Sequence, residues 1–214
     1  ALTRSVIDAV PERAAIHERL TTLWDFEKLS TPFKRAGLYF WDHNNGLSNQ
    51  SRLMVGEAPF ADDARVLLDP NTLSEDGTVA LSGTSVSRDG RYLAYAVSDG
   101  GSDWKTWRVR DIETGEDTDD LIEWSKFSGA TWDPEGEGFY YAGYEAPDDP
   151  LEEVNLDQTL YFHALGTPQS EDRVVYHNAD EPEWGYGSAV TEDGAYLIID
   201  VSQGTEEKNR IYVQ

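Results

Sequence analysis

Ser87-Arg88-Asp89-Gly90-Arg91-Tyr92-Leu93-Ala94-Tyr95 is the stretch on which the fold turns. It reads as a tight turn feeding a strand, with glycine supplying the positive φ that a β-carbon would resist. The pattern recurs. Asp133-Pro134-Glu135-Gly136-Glu137-Gly138-Phe139-Tyr140-Tyr141 matches it in character, and Thr191-Glu192-Asp193-Gly194-Ala195-Tyr196-Leu197-Ile198-Ile199 matches it closely. Phe33-Lys34-Arg35-Ala36-Gly37-Leu38-Tyr39-Phe40-Trp41 is a weaker copy. The aligned glycines Gly37, Gly90, Gly136 and Gly194 are spaced by 53, 46 and 58 residues. Strand-like runs fill the intervals: Arg52 to Val55, Arg65 to Leu68, Trp104 to Arg110 and Thr159 to Leu165, with Glu113-Thr114-Gly115-Glu116 as a hairpin turn. A four-stranded unit repeated at this period is the signature of a propeller blade. The sequence thus predicts an all-β fold of about four blades over residues 33–214.

Outward from the repeats, two segments break the pattern. Residues 1–29 read as helical, with Pro11 in a first turn and Ile16, Leu20, Leu23 and Trp24 on one face. Thr31-Pro32 ends this arm, which occupies residues 1–32. Glu145 to Asp157 reads as an acidic, solvated insertion between the first two strands of one blade; no metal-ligand spacing is recognisable in it.

Composition bounds the function. Hydrophobic residues make up 39 % and aromatics 12 %, enough for a packed core. Asp and Glu number 41 against 17 Lys and Arg, for a net charge of −24. A phosphate backbone or an anionic membrane surface would be repelled, so neither is expected as a partner, whereas an acidic rim would attract cationic peptides. With no cysteine there is no disulfide, thiolate metal site or cysteine nucleophile. No stretch is long and apolar enough to span a bilayer, and the residues from Ala1 onward show no basic-plus-apolar leader, so any signal peptide is expected to have been removed or never present. A cytoplasmic location is expected, with the periplasm as the alternative.

Several segments resemble the prolyl oligopeptidase family. They are Leu68-Asp69-Pro70-Asn71 with Leu73 to Leu81, Gly101-Ser102-Asp103-Trp104, Leu165 to Asp172, and Asp180-Glu181-Pro182-Glu183-Trp184, in the family's order. The resemblance runs along nearly the whole chain after the first dozen residues. It implies a serine peptidase that cleaves short peptides after proline, monomeric when complete. In such an enzyme a seven-bladed propeller covers the active site of an α/β-hydrolase domain, on which the N-terminal helices pack. At about 52 residues per repeat, seven blades need roughly 360 residues, so residues 33–214 are expected to hold about four of them, a partial propeller. The resemblance also implies substrate contacts. Phe127 matches a phenylalanine lining the subsite two residues upstream of the proline pocket; a blade-core aromatic is the competing assignment. Gly185 and Tyr186 match a second lining segment and Thr205 a third. Mammalian members carry methionine and cysteine where this chain has Gly185 and Thr205, and Tyr186 is a candidate to fill the space left at Gly185.

The chain carries no catalytic residues of its own. An α/β-hydrolase needs G-x-S-x-G followed by Asp and His, and no such motif occurs; Gly83-Thr84-Ser85-Val86-Ser87 lacks the closing glycine. His17, His43, His163 and His177 are scattered and read as surface or strand residues, not metal ligands. Asp62-Asp63, Asp119-Asp120 and Asp148-Asp149 read as turn residues, and glycosidase chemistry finds no support in them. No phosphate-cradling or dinucleotide motif is present, so no cofactor is expected. The alternative to the peptidase reading is a free-standing propeller acting as a binding module.

Overall fold

The computed structural model describes residues 2–150 and 154–214. Ala1 of the expected arm and residues 151–153 of the acidic insertion lie outside the described residues. The chain divides into two compact units, residues 1–33 with 39–72 and residues 34–38 with 73–214.

The first unit opens with α1 (Leu2–Asp8) and α2 (Arg13–Trp24), between which Pro11 sits in a turn. The helical reading ran too far: β1 (Lys28–Leu29) is already a strand. Lys28 caps the C-terminus of α2. Its ammonium donates to Trp24 O at the helix C-terminus and to Gly46 O in a neighbouring turn. After β2 (Phe33–Arg35) come β3 (Leu38–Asn44), β4 (Arg52–Gly56) and β5 (Arg65–Leu68). The antiparallel order is β1-β3-β4-β5. Phe40, Trp41, Leu53, Val55, Leu67 and Leu68 are buried, whereas no residue of α1 or α2 is.

The second unit repeats one design. A first blade comprises β6 (Ala80–Val86), β7 (Tyr92–Ser98), β8 (Lys105–Asp111) and β9 (Asp117–Ser125). The next comprises β10 (Thr131–Trp132), β11 (Gly138–Gly143), β12 (Thr159–Ala164) and β13 (Arg173–Tyr176). A three-stranded sheet of β14 (Trp184–Val190), β15 (Leu197–Gln203) and β16 (Arg210–Val213) follows. All pairings are antiparallel. The acidic insertion joins β11 to β12, the second and third strands of its blade rather than the first two, because the two-residue β10 precedes β11. The Gly-Thr-Ser-Val-Ser lookalike runs along and just past β6, far from any strand-to-helix turn.

The repeat has a physical basis. Ser87 Oγ donates to Asp89 Oδ1 and accepts from the Tyr92 N–H, while Asp89 Oδ1 accepts from the Arg91 N–H. Thr191, Asp193, Tyr196 and Ala195 reproduce the same bonds. The four aligned glycines have φ of +90°, +74°, +75° and +75°. Within the second unit these turns nest. A β-carbon on Gly90 would lie 2.6 Å from Ala36 Cβ, one on Gly136 3.5 Å from the Asp89 carboxylate, and one on Gly194 3.0 Å from Pro134. Arg88 crosses a whole blade to donate to the carbonyls of Val190, Thr191 and Glu192. The first strands are also tied side by side: Trp132 Nε1–H donates to Ser85 O, and Thr131 Oγ1 to Ser188 O.

Blade-to-blade contact is polar as well as apolar. Ser125, fully buried, accepts from Trp107 Nε1–H and donates to Ala142 O. His163, also fully buried, presents Nε2 to Asp120 Oδ1 at 3.0 Å and Nδ1 to Asp172 Oδ1 at 2.7 Å. Asp120 further accepts from Thr118 Oγ1 and the Gly166 N–H, and Asp172 from the Tyr141 hydroxyl. The turn reading of Asp119-Asp120 is therefore corrected: both lie in β9, with Asp120 buried. Burial works against a charged imidazole, yet the bonds to Asp120 and Asp172 outweigh it and push His163 up to about 9.

Candidate functional site

Strand direction places one end of the second unit opposite the nested turns. Phe127 follows β9, Gly185 is the second residue of β14 and Gly204 follows β15, so all three fall at that far end. There a cleft of about 610 Å³ is lined by Phe127, Tyr144, Gln158, Trp184, Gly185 and Ser202, among others.

Phe127 is 67 % exposed, so it is not a blade-core aromatic. Its φ is +55°, a region that aromatic residues rarely adopt, and strained backbone of this kind gathers where function demands a set geometry. Lys126 beside it lays its ammonium 5.3 Å from the Phe127 ring centroid and 4.8 Å from that of Trp104. Trp104 in turn meets Trp124 and Tyr144 edge-on, an aromatic cluster backing this wall. Burial holds the Tyr144 phenol above its ordinary range, so this lining stays uncharged at neutral pH.

The opposite wall is β14. Gly185 pairs with Ser202 across the sheet, and a β-carbon on Gly185 would meet Ser202 Oγ at 3.3 Å and Gln158 Oε1 at 3.5 Å. The space left by the missing side chain is thus walled by a hydroxyl and an amide. Tyr186 does not fill it: successive strand residues point to opposite faces, and the Tyr186 ring is buried with Tyr176, Leu197 and Ile199. Glu183 and Asp200 also line the cleft, with no lysine or arginine among the lining residues.

Of the four residues picked from the sequence, Phe127, Gly185 and Tyr186 border this one cleft. Thr205 does not; it is exposed on the turn beyond Gly204, whose backbone takes the lining position. Tyr144, Gln158 and Ser202 were missed, since nothing in a single sequence marks a polar residue that becomes a wall only through strand pairing. Among the described residues no group of three or more His, Asp or Glu side chains is placed to hold a metal ion, and no helix is long and apolar enough to cross a membrane.

Antiparallel four-stranded blades tied along their first strands, with a cleft at one end, define a β-propeller domain. The family model for the prolyl oligopeptidase N-terminal beta-propeller domain matches residues 1–214, and the chain belongs to that family. It is 35 % identical to a prolyl endopeptidase of Elizabethkingia meningoseptica over 99 % of this chain and 30 % of that protein. It is 30 % identical to the dual function macrocyclase-peptidase POPB of Amanita bisporigera over 100 % of this chain and 32 % of that protein. A structure of prolyl oligopeptidase B from Galerina marginata, bound to a 25mer macrocyclization substrate, superposes with a TM-score of 0.90 at 31 % identity. That match covers 99 % of this chain and 32 % of the solved one. A prolyl endopeptidase solved to study inter-domain dynamics gives 0.80 at 38 % identity, over 99 % of this chain and 30 % of that one. The chain therefore spans about a third of the length of the relatives it matches.

Proposed function

We propose that this chain is the substrate-gating propeller portion of a prolyl oligopeptidase, a serine peptidase that cleaves short peptides after proline. The cleft receives the peptide upstream of the proline, with Phe127 as the apolar wall and Gly185 and Tyr186 on the facing strand. Thr205 belongs to the same proposal as a rim residue, reached by way of its turn. The observation that carries this reading is that Phe127 and Gly185, remote in sequence, meet at one cleft in a chain of this family. The chemistry falls to an α/β-hydrolase domain of the same protein, which is also the partner for the exposed apolar face of α2. The complete protein is a monomer located in the cytoplasm, or alternatively the periplasm, and takes neither nucleic acid nor a cofactor.

The test uses the complete protein beside residues 1–214 alone. The complete protein should react with a fluorophosphonate probe and release p-nitroaniline from benzyloxycarbonyl-Gly-Pro-p-nitroanilide; residues 1–214 alone should do neither. A complete protein inert towards proline peptides would sink the reading. Burying a phenyl face against an apolar side chain contributes roughly 1–2 kcal/mol. Phe127→Ala should accordingly lower kcat/KM about 5- to 30-fold for acetyl-Phe-Ala-Pro-p-nitroanilide and far less for its Gly-Ala-Pro counterpart. An equal loss on both would remove Phe127 from the proposed peptide subsite.

A further inference from the structure

Gln158 lines the cleft yet is only 3 % exposed, and its carboxamide spends both ends on backbone. Nε2–H donates to Lys126 O at 2.9 Å, on the residue before Phe127. Oε1 accepts from the Tyr186 N–H at 2.6 Å, on the residue after Gly185. One planar amide thus spans the two walls. Each bond leaves no buried group without a partner, and losing either would strand a backbone donor or acceptor. The wall that Gln158 holds is the one that needs holding, because Phe127 sits at φ +55°. Other side chains secure the same turn, through Lys105 Nζ to Ser128 O and the Ala142 N–H to Ser128 Oγ, but among the described residues it is Gln158 that joins this turn to β14. Gln158 is itself fixed in the chain, since the Asp157 N–H just before it donates to Pro182 O at 2.8 Å, two residues before β14.

We infer that Gln158 is a positioning residue that sets the separation of the Phe127 wall from the Gly185–Tyr186 wall, and through it the fit of the peptide residue two positions upstream of proline. The substrate in this statement rests on the function proposed above; the clamp itself does not.

The experiment uses the complete protein with Gln158→Met, which removes both bonds at similar length, and Gln158→Glu, which keeps only the acceptor for Tyr186. For acetyl-Phe-Ala-Pro-p-nitroanilide both should raise KM about 10-fold with kcat little changed; for the Gly-Ala-Pro substrate KM should stay within about twofold. Amide hydrogen exchange separates the two possible failures. In Gln158→Met, exchange should quicken at Tyr186 and across 126–128 with other segments unchanged; in Gln158→Glu, Tyr186 should stay protected. Activity absent from the wild type with exchange behaving as stated would sink the peptidase reading and leave the clamp standing. Unchanged exchange, an equal loss on both peptides, or failure of both variants to fold would overturn the clamp.

Discussion

His163 holds its two carboxylates without any contact with solvent, and both ring nitrogens face acceptors. Both must therefore carry hydrogen, which makes the ring an imidazolium. Its charge is spread over a network in which Thr118 and Tyr141 satisfy the remaining carboxylate oxygens and the Gly166 N–H adds a second bond to Asp120 Oδ1. Because the folded value of about 9 lies above the ordinary 6.5, the stabilisation is complete below about pH 6.5 and is lost as pH rises through about 9. Asp120 acts at the other extreme. Burial alone would raise it, but His163, Thr118 and the Gly166 N–H bring it below its ordinary value, so its contribution is lost in acid beneath that value. Urea unfolding of residues 1–214 should then show stability falling between pH 6.5 and 9 by on the order of 3 kcal/mol. In His163→Gln that alkaline decline should flatten. An unchanged slope in the variant would place the titration elsewhere.

Helix α2 leaves four apolar side chains uncovered by the described residues: Ile16, Leu20, Leu23 and Trp24 are 53, 54, 49 and 64 % exposed. If the proposed hydrolase domain covers that face, Leu20→Glu with Leu23→Glu should leave the melting temperature of residues 1–214 within about 1 °C and lower that of the complete protein by several degrees. An equal shift in both would show that the face is used within the chain. The helix was legible because its period is local, and so were the blades, because Ser87 with Asp89 and Thr191 with Asp193 build two of the turns from bonds within a few residues and Asp133 closes a third by accepting from the Gly138 N–H. The two-residue β10 carries too little pattern to announce itself, so the insertion was assigned to the wrong pair of strands. Asp119-Asp120 looked like a turn because adjacent aspartates favour turns; the β9 alternation that buries Asp120 is set by partners 43 and 46 residues away. Gln158 had no signal for the same reason, its partners lying 32 and 28 residues off. Phe127 and Gly185 were found through family likeness, which carries long-range information that one sequence does not.

At the scale of the molecule, the second unit is held by a contact that skips a blade. Arg88 gives three hydrogen bonds to consecutive carbonyls 102 to 104 residues further on. Charge-assisted bonds to backbone are among the stronger ones, so Arg88→Met should destabilise residues 1–214 by about 1–2 kcal/mol in urea unfolding, with Arg88→Lys restoring only part. A variant as stable as the parent would mean the bonds are replaced by water at no cost. The turns that Arg88 joins are packed so closely that a methyl group on Gly90 or Gly194 has no room. A residue inserted into one of them would have to displace its neighbours too. The opposite ends of the same strands are free of that constraint, and the chain already carries its acidic insertion there, between β11 and β12. Length can therefore change at the cleft end without disturbing the nested turns. Variants of this design can recut the cleft rim by gaining and losing residues, while the nested turns at the other end keep the blades in register.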